Sequence, residues 1–140
     1  MIFRYLKLLL VFFILSSSLE AKNQLFREGL IFYKNNKFEE AKLKFEQDLV
    51  LNPKSELSYL YLSKIFKNLK KKELEEQNLN TVILLNPRNE DAIYSLARLK
   101  LDSSDYKKSK ELNDKLMSLC DKFCIQSQKL KIEIENLSKK

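Results

Sequence analysis

The sequence predicts an all-α protein built as a stack of helical hairpins, a repeat solenoid. Three observations carry that prediction. Leu51-Asn52-Pro53 returns 34 residues later as Leu85-Asn86-Pro87, and what precedes it returns too: Gly29, Phe32, Phe45, Leu49 and Leu51 shift onto Ser63, Phe66, Leu79, Ile83 and Leu85. A fixed period of this length marks a stacked repeat. Within a unit, apolar residues recur at helical spacings, as in Phe38, Ala41, Phe45 and Leu49. Composition agrees, since the 140 residues hold one Gly, two Pro and no Trp and are rich in Leu, Lys, Glu, Asn and Ile, which suits helices more than sheets.

Met1 to Ala21 reads as an export leader. Arg4 and Lys7 give a positive start, Leu8 to Leu15 is an unbroken apolar run, and Ser16, Ser17, Ser18 and Ala21 supply small residues near a cut. The run is shorter than the roughly 20 apolar residues that span a membrane. Cleavage is expected after Ala21 or Ser18, the alternative being an uncleaved anchor formed by residues 1–21. Either way the remainder lies outside the cytoplasm, in the periplasm or cell envelope, where nucleic acid is not an expected partner. The net charge of +7 becomes +6 once Arg4, Lys7 and Glu20 are removed, and the charges are interspersed along helices, as a solvated surface requires. There is no His, which removes Ser-His-Asp and Cys-His catalysis and the commonest metal ligand. No cofactor, metal or enzymatic role is expected.

Three repeats follow. Repeat one, 22–55, carries Leu25, Gly29, Phe32, Tyr33, Phe38, Ala41, Phe45, Leu49, Leu51 and Pro53; Asp48 breaks its apolar pattern. Repeat two, 56–89, carries Tyr59, Leu62, Ser63, Ile65, Phe66, Leu79, Val82, Ile83, Leu85 and Pro87, with Lys72 and Glu75 as departures. Repeat three, 90–123, carries Ile93, Leu96, Ala97, Leu99, Tyr106, Ser109, Leu116, Met117 and Leu119, with Lys100, Asn113 and Asp121 out of pattern. Gly29, Ser63 and Ala97 are small enough for neighbouring helices to approach closely. Pro53 and Pro87 fall where a helix has ended, and Ser55 and Asn89 are candidate N-caps for the next. Segment 124–140 is expected as a capping helix. Leu130, Ile134 and Leu137 form its stripe and Ile125 and Ile132 widen it, although 129–135 also alternates polar and apolar as a strand would. That makes seven helices after the leader.

Cys120 and Cys124 are the only cysteines. Their Cys-x-x-x-Cys spacing is not that of a redox enzyme, and nothing completes a metal site. On a continuous helix the spacing suits a disulfide poorly, but at a corner between two helices a bridge can close. Asp121-Lys122 falls at such a corner. A disulfide pinning the cap and two free buried thiols both remain open.

From Lys22 onward the chain resembles the tetratricopeptide repeat, most specifically over Gly29 to Ala41 with its Phe32, Tyr33 and Phe38. The resemblance implies antiparallel helix pairs, A then B, wound into a right-handed superhelix whose concave face is lined by A helices and binds a protein or peptide. It places Phe26, Leu30 and Tyr33 from repeat one, Leu57, Leu60, Lys64 and Lys67 from repeat two, and Tyr94 and Arg98 from repeat three in that groove, with Lys34, Asp91 and Leu101 beside them. An apolar partner segment carrying some acidic residues would fit. The branch of the family that grips the carboxylate end of chaperone tails uses Lys, Asn and Arg at places held here by Phe26, Leu30, Tyr61, Asp91 and Ser95, so that activity is not implied. The expected role is an exported protein-binding adaptor, with a structural subunit of an envelope complex, docked by its convex face or cap helix, as the alternative. Lys67-Asn-Leu-Lys-Lys-Lys72 reads as a solvated turn or as a peripheral contact to acidic lipid head groups. The sequence leaves the oligomeric state open.

Overall fold

The computed structural model describes residues 24–139. The leader expected at Met1 to Ala21 lies outside the described residues. Among those described there are seven α-helices and no strand: α1 (24–34), α2 (Phe38–Leu51), α3 (Glu56–Asn68), α4 (Lys72–Leu85), α5 (Glu90–Asp102), α6 (Tyr106–Leu119) and α7 (Cys124–Leu137). None is long and apolar enough to cross a membrane.

The helices keep the stride of the sequence. The B helices α2, α4 and α6 start at Phe38, Lys72 and Tyr106 and end at Leu51, Leu85 and Leu119, each set spaced by 34. The A helices α3, α5 and α7 start at Glu56, Glu90 and Cys124, again spaced by 34. The segment expected as a cap therefore begins in register as a further A helix. Its helical stripe won over its alternation, with Leu130 and Ile134 buried and Ile132 exposed.

The A helices that turn into a B helix, α1, α3 and α5, end on a left-handed residue: Asn36 at φ 57°, Lys70 at φ 57° and Ser104 at φ 60°. The N–H of the following residue reaches back to close the helix end, from Lys37 to Phe32 O at 3.0 Å, Lys71 to Phe66 O at 2.9 Å and Asp105 to Lys100 O at 2.9 Å. This is a Schellman closure, which usually falls on Gly. The chain folds its hairpins without Gly there, accepting a local backbone cost of about 1 kcal/mol per turn. The B-to-A corners use the predicted caps. Asn89 Oδ1 accepts from Ala92 N–H at 2.8 Å, and Ser55 Oγ lies 3.4 Å from Ser58 N.

The chain divides into two compact units, one ending at Ser58 and the other running from Tyr59. In the first, Phe45 is fully buried and packs at a tilt on Phe26, ring centroids 5.6 Å apart. Gly29 makes this possible, because a Cβ there would stand 2.7 Å from the Phe45 ring. Asp48, which broke the apolar pattern, is buried and accepts a hydrogen bond from Ser58 Oγ. In the second unit α5 packs on α4, α6 and α7, and α6 on α7. Its core joins Leu60, Leu79, Val82, Ile93, Leu96, Leu99, Leu101, Leu112, Leu116, Leu130 and Ile134, where each fully buried large side chain contributes about 1.5–3 kcal/mol.

Two substitutions test this account. Gly29→Ala gains about 1 kcal/mol of helix propensity but overpacks a ring that has no room to swing, a cost of about 1–3 kcal/mol. Its melting temperature, followed by circular dichroism, is expected to fall, and a rise would show that Phe45 relocates. Ser104→Gly removes the left-handed penalty. Its urea midpoint is expected to rise by the equivalent of about 0.5–1 kcal/mol.

Candidate functional site

The A-helix residues assigned to the groove do not share one environment. Phe26, Leu30 and Tyr33 are half-buried on α1, Phe26 against Phe45 and Tyr33 edge-on to Phe38 at 5.7 Å. Leu57 is exposed on α3. Leu60 is not available: it is 5% exposed and belongs to the core with Leu79, Val82 and Ile93. Leu101 is likewise core. Both fall on the inner edge of the A-helix stripe, where the wide apolar face of a packed helix continues past the positions that spacing alone assigns to solvent.

Two of the groove cations, Lys64 and Arg98, are already occupied. Lys64 Nζ stands 3.7 Å from Asp91 Oδ1 and 5.3 Å above the Tyr61 ring. Arg98 donates to Glu133 on α7 and lies 3.9 Å from Asp102. Burial pulls the Arg98 guanidinium down, but the hydrogen bond and charge of Glu133, with Asp102, more than offset it and hold Arg98 above its ordinary value. Tyr94 is half-buried with its ring 5.1 Å from Phe123. These internal partners make an acidic partner segment less complementary than the sequence suggested. Lys67 is exposed at the α3–α4 corner with Lys70 and Lys72.

What spacing missed lies on α7. Ile125 and Ile132 stand 34 residues after Asp91 and Arg98, in the register of the groove positions. They are 66% and 59% exposed and two turns apart on one helix face. Extending the 34-residue shift one step further would have found them, but they were read as part of the cap's own stripe.

The α6–α7 corner is built from three parts. Cys120, in the left-handed region at the end of α6, and Cys124, the first residue of α7, are joined by a disulfide. Glu90, the first residue of α5, accepts N–H bonds from Asp121, Lys122 and Phe123 at 2.7, 2.8 and 2.9 Å. These donors lead into α7, whose own N-cap Phe123 has no capping side chain, so a carboxylate from another helix does the capping. Burial pushes the Glu90 carboxyl up, but the three backbone donors outweigh it, and its pKa lies below the ordinary value.

Helix pairs of this length, turned on a left-handed residue and advancing by 34, can be matched to solved structures. The tetratricopeptide domain of Arabidopsis OM64 superposes with a TM-score of 0.75 at 16% identity, over 85% of this chain and 98% of that one. The chain carries the tetratricopeptide-repeat fold. The first such domain of Spaghetti (RPAP3), bound to an HSP90 peptide, gives 0.72 at 16% identity over 86% and 92%. The Yersinia enterocolitica type III secretion chaperone SycD, in complex with a peptide of the translocator YopD, gives 0.73 at 15% identity over 83% and 91%. No family model matches the sequence, and no curated protein does. Within the tetratricopeptide frame, α1, α3, α5 and α7 are A helices, so Ile125 and Ile132 extend the A-helix face beyond repeat three.

The corner yields a pH prediction. Because the folded Glu90 value is depressed, its stabilisation is complete above the unfolded carboxylate range, about 4.3, and is lost as pH falls through the folded value. Glu90→Gln is expected to melt lower than the parent at neutral pH, with the gap closing once the pH drops below about 4. Thermal melts of both proteins from neutral to acid pH check this, and a gap that widens toward acid would contradict it.

Proposed function

We propose that the chain is an exported protein-binding scaffold that presents its A-helix face to an apolar segment of a partner polypeptide. Ile125 and Ile132 carry the reading: large apolar side chains left open on an A helix, in the register where this fold places groove residues. Exposed apolar groups clustered on one face favour a partner that covers them. Among structures of this fold, those of RPAP3 and SycD were solved with peptides bound. The neutralised Lys64 and Arg98 favour an apolar partner segment over an acidic one. Export is supported by the leader-like start and by a disulfide, which persists in oxidising compartments. The scaffold acts by rigid presentation and performs no chemistry of its own.

A structural role is the second reading. Val50 in the first unit and Leu84 in the second hold equivalent positions on their own B helices and are 79% and 81% exposed, so each unit offers an open apolar side chain for docking.

Paired substitutions separate the two. Ile125→Asp with Ile132→Asp is expected to abolish crosslinked partner capture from native envelope while the melting temperature stays put, since exposed substitutions change stability by about 0.5 kcal/mol or less. Val50→Asp with Leu84→Asp should leave capture intact, and the opposite pattern would favour the structural subunit. Fusing residues 1–21 to a reporter that is active only outside the cytoplasm tests export, with a silent reporter counting against it.

A further inference from the structure

Among the described residues most buried polar side chains meet a partner, although Asn113 Oδ1 has none. Asp48 takes Ser58, Ser109 Oγ donates to Ala97 O at 2.8 Å, Asn113 Nδ2 donates to Ser127 O at 3.0 Å, and Glu90 holds three backbone N–H groups. Glu75 differs from the other buried acids, Asp48 and Glu90. It is 5% exposed, and among the described residues no donor or cation reaches its carboxyl at bonding distance. It also sits where the neighbouring repeats keep small residues, Ala41 and Ser109, each 34 away. Its carboxyl oxygens are not among the side-chain atoms shut off from solvent, so water meets them through the pocket, and burial of the rest of the residue still penalises the charge and favours an incoming cation.

The carboxyl opens on a cavity of about 230 Å³ lined by Lys67, Lys70, Lys72, Glu75, Leu99 and Asp102. Lys67, Lys70 and Lys72 are exposed and form no salt bridge among the described residues, and Lys70 is fixed by its left-handed turn. Burial raises the Glu75 carboxyl above its ordinary value, while the Lys67 charge pulls it back. Three ammonium groups against two carboxylates leave the lining at +1. The complement is a small solute of net −1 that brings a cation for Glu75 and a doubly charged anion for the lysines. Lysines meet phosphate as mobile point charges, and a phosphate monoester carries about −1.5 to −2 at neutral pH.

We infer that this cavity binds a small phosphorylated primary amine, its ammonium group paired with Glu75 and its phosphate with Lys67, Lys70 and Lys72. Leu99 faces the connecting methylenes. The shared chemistry, an ammonium a few bonds from a phosphate, comes either from a free solute or from an aminophospholipid head group. The site shares only Lys67 with the residues assigned to the groove and uses neither Ile125 nor Ile132, so either stands if the other fails.

Isothermal titration of the full chain with phosphoethanolamine, inorganic phosphate and ethanolamine tests the assignment. Phosphoethanolamine is expected to bind saturably, at least tenfold more tightly than either fragment. Glu75→Gln should remove that advantage, as should Lys67→Met with Lys72→Met. Glu75→Ala, which restores the small residue of the other repeats, serves as the folding control: it should melt at or above the parent temperature and still lose binding. Vesicles of phosphatidylethanolamine that compete with phosphoethanolamine, where phosphatidylcholine vesicles do not, would assign the head group, and no competition would assign the free solute. The inference is overturned if phosphoethanolamine fails to bind at about 10 mM. It is equally overturned if inorganic phosphate binds as tightly and Glu75→Gln changes nothing, since the cavity would then be a plain lysine anion site.

Discussion

Among the described residues, each turn from an A helix into its B helix is made on a single left-handed residue, and the repeat depends on that turn. Asn36, Lys70 and Ser104 stop their A helices at equivalent places, and the next N–H closes the helix end on a carbonyl five residues back. With the turn fixed, the B helix starts two residues later, at Phe38, Lys72 or Tyr106, and its apolar stripe meets that of its A helix. A turn of different length would rotate the B helix about its axis by roughly 100° per residue and carry Ala41, Phe45 and Asp48, or Leu79 and Val82, away from their neighbours. The local backbone cost is small beside what those contacts return.

Polar residues placed against the apolar pattern show a second regularity. Asp48, Lys100 and Asn113 looked like weaknesses in successive repeats. Each is matched by a group on another helix: Ser58 for Asp48, Glu76 at 2.6 Å for Lys100, and the Ser127 carbonyl for Asn113. Such pairs add little net stability, but an unmatched member would cost more than the pair contributes. They therefore act to specify which helices belong together. Glu90 extends the same logic to the last corner, where no Pro marks the end of the B helix and a disulfide and a remote carboxylate hold the entry to α7.

Surface charge carries less information here than its total suggests. Lys64 and Arg98 face acids of the protein itself, so much of the positive balance near the A-helix face is spent internally. What stays open there is apolar, Leu57 on α3 and Ile125 and Ile132 on α7. Lys67, Lys70 and Lys72, exposed and without a salt bridge among the described residues, line the pocket beside Glu75 at the α3–α4 corner, a different place with a different chemistry.

The sequence by itself determined the helices and their stride. The repeated Leu-Asn-Pro, the spacing of Phe38, Ala41, Phe45 and Leu49, and the caps at Ser55 and Asn89 are local signals, because helix period, chain stops and capping are settled within a few residues of one another. The fold likeness also came from local spacing, read at Gly29 to Ala41. The sequence did not decide which A-helix residues face solvent: Leu60 and Leu101 went to the core and Ile125 and Ile132 to the surface, since exposure depends on which neighbour covers a side chain. Nor could it show that Glu90 caps a helix more than 30 residues away, or that Glu75, unlike the buried acids Asp48 and Glu90, faces a pocket and not a partner in the chain. Those are contacts between distant parts of the chain, and only tertiary packing brings their atoms within bonding distance.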